Sequence, residues 1–170
     1  MSATAVRLLP FTTPLLIALE ERRSTYAAAF PYALSPDWPN ADFLDALGSF
    51  IDSRTARPAE EQWIFLIFDV AGDRVVGEIG AKGPPSAAGE LEVGYGIAES
   101  QRGRAFATSA LAAFIEVAFG HEGVRCLTAE CLTANPASSR VLEKCGFTRA
   151  GIGTGPGGDL LKWRLERTQL

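Results

Sequence analysis

Sulphur and imidazole are scarce in this 170-residue chain, which has three cysteines, one histidine and one methionine. The odd cysteine count does not read as a disulfide framework, and Cys126, Cys131 and Cys145 show no paired metal spacing. His121 lies apart from them in sequence, so no metal site is expected, and the thiols read as buried residues of a reducing compartment. No apolar run reaches the length of a membrane span, and the N-terminus has Arg7 but no signal-peptide core. The net charge of −4 gives no whole-chain attraction to nucleic acid or an anionic membrane. Two phosphate-binding signatures are also missing. There is no GxxxxGK[ST] run, and the one basic turn has a single glycine where a dinucleotide fingerprint needs three. The expectation is a cytoplasmic protein with neither nucleic-acid nor membrane partners.

What is present is an ordinary globular composition, 47% hydrophobic and 21% charged. With no repeat, low-complexity segment or linker, residues 1–170 read as one domain. Ala5 to Leu9 predicts a strand. Thr13-Pro14 opens a helix to about residue 29, with Leu15, Leu16, Leu19, Arg23 and Tyr26 at helical spacing. Residues 30–39 form an irregular loop rich in proline and aromatics. Asn40 caps a second helix with Phe43, Leu44, Leu47, Phe50 and Ile51 on one face, followed by a polar connection over 54–61. Residues 62–70 and 75–81 pair as a hairpin. After a loop over 82–89 comes a strand over 91–97. A helix spans about 104–121, with Ala107, Ala110, Leu111, Phe114, Ile115, Ala118 and Phe119 buried. A strand over 124–132 precedes a helix opened by Asn135-Pro136 and closed by Gly146. The chain ends in a hairpin, 147–152 with 159–166, around a glycine-rich loop over 153–158.

Two stretches carry chemistry. Gln101-Arg102-Gly103-Arg104-Ala105-Phe106-Ala107-Thr108 joins a strand to a helix. The first N–H groups of a helix have no internal partners and the dipole is positive there. Small residues let an anion approach, and two arginines add forked donors. This predicts a diphosphate cradle. In the strand before it, Leu91, Val93, Tyr95 and Ile97 point one way while Glu92, Gly94 and Gly96 point the other. Two glycines beside one carboxylate leave a bare strip where an extended ligand can pair with the backbone.

Taken together, these segments resemble the GNAT superfamily of N-acetyltransferases, and within it the ribosomal-protein-alanine (Rim-type) branch. The resemblance rests on Glu90-Leu-Glu-Val-Gly-Tyr-Gly-Ile with the basic turn, and on residues 127–147, which include Asn135-Pro-Ala-Ser-Ser. It implies an α/β (α+β) fold with a central mixed, mostly antiparallel sheet flanked by helices. It implies acetyl-CoA as co-substrate. The pyrophosphate would lie on Arg102, Gly103, Arg104, Ala105, Phe106, Ala107 and Thr108, with Ala105 standing where the family pattern has glycine. The pantetheine arm would pair with Tyr95, Gly96 and Ile97, and Asn135 and Ser138 would face that arm.

The implied reaction moves an acetyl group from a thioester directly to a primary amine. The amine must lose a proton, the carbonyl oxygen needs N–H donors, and the thiolate leaves better with a donor beside it. Glu92, on the glycine face, is the first choice for base, with Glu130 second and Glu78 third. The tyrosine that many family members place seven residues after the asparagine is Leu142 here, so Ser138 or Ser139 is the candidate acid. The Ile97 N–H is the oxyanion donor by resemblance. Cys131 lacks an activator in sequence, which argues against a covalent acyl-enzyme. Tyr32, Asp37 and Trp38 are candidates to line the acceptor cleft. The Rim-type flavour favours a protein or peptide N-terminus as acceptor. The alternatives are a polyamine or aminoglycoside acetyltransferase and an acetyl-CoA-binding module without turnover. A sheet edge or the last hairpin could join a second subunit as a homodimer.

Overall fold

The computed structural model describes residues 4–21, 30–56 and 63–168. The elements are β1 (Val6–Pro10), α1 (Thr13–Glu21), β2 (Ala33–Leu34), α2 (Ala41–Ala56), β3 (Ile64–Asp69), β4 (Arg74–Ala81), β5 (Glu90–Ile97), α3 (Phe106–Gly120), β6 (Cys126–Leu132), α4 (Pro136–Lys144), β7 (Thr148–Gly155) and β8 (Gly158–Glu166). The strands form one sheet in the order β1-β3-β4-β5-β6-β8-β7, with β2 pairing off that path. Among the described residues only β2–β4 and β5–β6 are parallel; the other pairs are antiparallel. This is the mixed, mostly antiparallel sheet with flanking helices that the resemblance implied.

Helix starts follow local sequence. Asn40 Oδ1 accepts the Phe43 N–H at 2.8 Å, and Asn135 Oδ1 accepts the Ser138 N–H at 3.1 Å, so each asparagine satisfies a donor the helix cannot. Pro136 begins α4, where its missing N–H costs nothing. Gly146 follows α4 with φ of 87°, the left-handed conformation glycine adopts freely.

Both faces of the sheet are covered over its first half. On one face α3 packs through Phe106, Ala110, Leu111, Phe114 and Ala118 onto Ile79, Leu91, Val93 and Leu127, with Leu142 of α4 in the same cluster. On the other, α1 and α2 lay Leu16, Leu19, Phe43 and Leu47 over Leu66 and Phe68, with Phe11, Phe30 and Trp38 between them. Beyond β5 that second face carries exposed or half-exposed polar side chains, among them Thr128, Glu130 and Lys162.

Three expectations change. The glycine run near the C-terminus is mostly strand: β7 extends to Gly155 and β8 starts at Gly158, leaving a two-residue turn. Pairing with a long partner strand overrides the weak strand propensity of glycine. Arg54 belongs to the last turn of α2 rather than to a connection, and its guanidinium donates to the Phe11 carbonyl. A short 3-10 turn, Glu99–Gln101, stands between β5 and the basic turn. The predicted continuation of the first helix, with Arg23 and Tyr26, the connection over 57–61 and the strand start at Gln62 lie outside the described residues.

Candidate active site

The site begins with a pairing failure in the sheet. Strands β5 and β6 are in register only at Glu90↔Cys126, Leu91↔Leu127 and Glu92↔Thr128. Past that point β5 stays paired with β4 as far as Ile97, while β6 stays paired with β8, its partner from Cys126 to Leu132. The two parallel strands therefore part and leave a wedge between Val93–Ile97 and Ala129–Leu132. Backbone direction alternates along a strand. The Ala98 N–H donates to Val76 of β4 at 2.9 Å, so the Ile97 N–H points the other way, into the wedge. It is a donor aimed where an acyl oxygen could sit.

The basic turn stands at the mouth of this wedge. Among the described residues, none of the N–H groups from Gly103 to Thr108 has a backbone acceptor; the first return bond is Ser109 N–H to Ala105 O at 3.0 Å. Gly103 and Ala105 have φ of 75° and 63°, which curls the backbone so that successive N–H groups turn outward. Ala105 thus takes the left-handed conformation that glycine would take more cheaply, and its methyl group is exposed. Arg104 folds back, its Nη1 on Gln101 Oε1 at 2.6 Å and its guanidinium 5.1 Å from the Phe106 ring centroid. Arg102 Nε donates to Ile97 O at 3.4 Å. The arrangement can hold a pyrophosphate on N–H groups, a helix dipole and two cations.

On the glycine face the structure brings in a residue ranked low in sequence. Glu78 of β4 pairs with Gly96 of β5, and a Cβ at Gly96 would overlap Glu78 Oε1. The strip is therefore bare at Gly94, which has nothing within 4 Å of its missing Cβ, and filled at Gly96 by this carboxylate. Asn40 Nδ2 reaches the same place, 3.0 Å from that missing Cβ. Trp38 Nε1 donates to Glu78 Oε2 at 2.5 Å. Glu78 is 7% exposed, and burial pushes its carboxyl up to about 7, with the indole N–H opposing that rise. A carboxylate with such a pKa, one oxygen anchored on Trp38 and the other lying over Gly96, can accept a proton near neutral pH. The sequence did hold a signal, a lone carboxylate inside the apolar strand Val75–Ala81. Its meaning needed the β4–β5 register.

Glu92 lies elsewhere on the same face. It sits opposite Thr128 at the closed end of the wedge, with an ion pair to the exposed Lys82. Gly96 lies four positions further on, roughly 13 Å along β5. Glu130 pairs with Lys162 at 3.5 Å, and both glutamates line one groove with Thr128 and Arg164.

The two candidate serines are turned in different directions. Ser139 is buried, with its hydroxyl 3.6 Å from Cys131 Sγ, a sulphur that accepts from Trp163 Nε1 at 3.3 Å. Ser138 is half-buried and its Oγ lies 3.0 Å from the Tyr95 hydroxyl. Leu142, at the usual tyrosine position, is 1% exposed in the core. Asn135 spends its Oδ1 on the cap of α4. Of the acceptor-loop candidates, Tyr32 packs edge-on against Phe68 at 5.6 Å. Asp37 holds Ser100 N at 2.8 Å and Ser100 Oγ at 2.6 Å, and these bonds keep its carboxyl below the ordinary value. One loop thus grips both Glu78 and the turn that leads to the phosphate cradle.

Residues 17–148 match the Acetyltransferase (GNAT) domain family. The uncharacterized N-acetyltransferase YjdG of Bacillus subtilis (strain 168) is 28% identical over 150 residues, 86% of this chain and 88% of that protein. Among solved structures, RimL, a ribosomal L7/L12 alpha-N-protein acetyltransferase in complex with coenzyme A, superposes with a TM-score of 0.67 at 18% identity, over 96% of this chain and 95% of that one. The aminoglycoside acetyltransferase AAC(6')-Ib, with coenzyme A and kanamycin, gives 0.63 at 21% identity, over 96% and 95%.

Proposed function

We propose, for a chain that belongs to the GNAT family of N-acetyltransferases and moves an acetyl group from acetyl-CoA to an acceptor, that the acceptor is the amine of a protein or peptide N-terminus and that Glu78 takes its proton. The observation that carries this reading is the Glu78 carboxylate beside Gly96 at the wedge, poised at about 7. An α-amino group titrates near 8, roughly, whereas a lysine amine titrates near 10.4. A base poised near 7 suits the operating pH, at which an α-amino group is already neutral in far greater part than a lysine amine. The RimL likeness supports the same acceptor class.

In this reading the N–H groups of Gly103 to Thr108, with Arg102 and Arg104, hold the pyrophosphate. The exposed edge of Tyr95, Gly96 and Ile97 pairs with the pantetheine arm, beside Asn135. The amine attacks the acetyl carbon as Glu78 Oε1 accepts its proton, directly or through one water held by Asn40. The carbonyl oxygen gains charge against the Ile97 N–H. The carbon–sulphur bond breaks with its electron pair on sulphur, and Ser138 donates a hydrogen bond to that thiolate. Most of the rate then comes from orientation within one cleft.

The test is free-thiol release from acetyl-CoA against peptides with free N-termini, the same peptides N-terminally blocked but carrying lysine, spermidine and kanamycin. Turnover is expected with the free N-termini and not with the blocked peptides. Turnover with spermidine or kanamycin alone would overturn the acceptor assignment.

A further inference from the structure

The absent tyrosine of α4 has a counterpart on a different element. Tyr95 comes from β5, on the face opposite Glu78, and reaches α4 just beyond the point where β5 and β6 stop pairing. Its hydroxyl lies 3.0 Å from Ser138 Oγ and 3.4 Å from Ser138 O. The phenol is largely buried, which pushes its pKa up to about 12, so it keeps its proton across the working range. A phenol that stays protonated has one hydrogen to give, to Ser138 Oγ or Ser138 O, and its oxygen can also accept from the serine; the distances allow either direction with Oγ. The Ser138 backbone is fixed as well, since its N–H is taken by Asn135 Oδ1 at 3.1 Å. Once the serine oxygen accepts from Tyr95, its own hydrogen has to point elsewhere. The neighbouring hydroxyl, Ser139, is turned into the core against Cys131.

We propose that Tyr95 is a positioning residue for acetyl transfer: by donating to Ser138 Oγ it fixes that hydroxyl so that the serine's own hydrogen points into the wedge, at the sulphur of the departing thiol. The inference rests on the reading of Ser138 given above. No proton is transferred along the pair. The carbon–sulphur bond breaks, sulphur keeps the electrons, Ser138 lends a hydrogen bond to the thiolate, and Tyr95 and Ser138 both retain their protons. Coenzyme A can leave as a thiolate because thiols titrate near 8.5, roughly, far below a serine hydroxyl. What was a tyrosine donor at the Leu142 position becomes a serine donor braced by a tyrosine from the facing strand.

The test is a double-mutant cycle with Tyr95→Phe and Ser138→Ala, read in steady-state turnover and in the titration of bound coenzyme A followed by thiolate absorbance. A hydrogen bond to a charged group predicts that each single change lowers kcat about tenfold, with KM for acetyl-CoA within about twofold. Each should raise the bound thiol's pKa by about one unit, the same tenfold in equilibrium form. Tyr95→Phe should add nothing in the Ser138→Ala background. If Ser138→Ala loses neither rate nor thiolate, the reading of Ser138 fails. If Ser138→Ala loses both while Tyr95→Phe keeps wild-type values, or if the two losses multiply, the role assigned to Tyr95 fails and that of Ser138 stands.

Discussion

Trp38 Nε1 and Glu78 Oε2 stand 2.5 Å apart, joining residues 40 positions distant in sequence. Trp38 is 1% exposed among Phe11, Phe30 and Phe43, so its indole N–H had to find a partner inside the protein. The partner is the buried carboxylate beside Gly96. One hydrogen bond thereby fixes the loop that carries Trp38 to the proposed base.

That burial has a cost in stability which depends on pH. The folded chain holds the Glu78 proton up to about 7, the free side chain only to 4.5. The folded form therefore binds the proton more tightly, and the stability this gives is full below the unfolded value and lost as pH rises through 7. Glu78→Gln removes the titration. Chemical denaturation of the two proteins should show the variant gaining on the wild type from pH 5 upward, by on the order of 3 kcal/mol above pH 8. A constant difference across that range would contradict the burial argument.

Trp38→Phe keeps most of the ring packing and removes the N–H that lowers the Glu78 pKa. The acid limb of kcat/KM against pH is expected to move to higher pH, and stability to fall by about 1–2 kcal/mol. An unshifted limb would mean that Glu78 does not set it.

The two glycines of β5 should differ. A methyl group at Gly96 overlaps Glu78 Oε1, whereas Gly94 has nothing within 4 Å of its missing Cβ. Gly96→Ala is expected to cost about 1–3 kcal/mol and most of the turnover, since the carboxylate must move. Gly94→Ala should melt within a few degrees of the wild type. Equal effects in thermal melts and rates would contradict the placement of Glu78.

In the cradle, Ala105 has φ of 63°. Ala105→Gly relieves a strain of about 1 kcal/mol, partly offset by the freer unfolded chain, and should leave acetyl-CoA affinity within about twofold. Ala105→Val, β-branched in the left-handed region, should weaken binding at least about fivefold by calorimetry. A valine variant that binds normally would show that the turn's curl is not what holds the phosphate.

Features set by short-range chemistry were legible before the structure. Asn135 and Ser138 are three residues apart, and the cap they form is written in that spacing. The strand–turn–helix around Gly103 is likewise local. The carboxylate proposed as the base was not legible in this way. Glu92, Gly94 and Gly96 share a face because strand residues alternate, and this made Glu92 the natural choice. Which carboxylate stands over Gly96 depends on how β4 pairs with β5, and that register is a property of two strands. The Tyr95–Ser138 bond similarly depends on β5 and β6 parting after Glu92. Ser138 and Ser139 are neighbours in sequence, and only the docking of α4 turns one toward Tyr95 and the other toward Cys131.

Proton transfer to Glu78 is the step on which the proposed mechanism turns. Its most direct test is kcat/KM against pH for the wild type, Glu78→Gln and Glu92→Gln, with acetyl-CoA binding measured beside each. The prediction is a wild-type limb near pH 7, a fall of at least about 100-fold in Glu78→Gln with acetyl-CoA binding kept, and near-wild-type rates in Glu92→Gln. Near-wild-type turnover in Glu78→Gln, with the loss falling on Glu92→Gln instead, would contradict it.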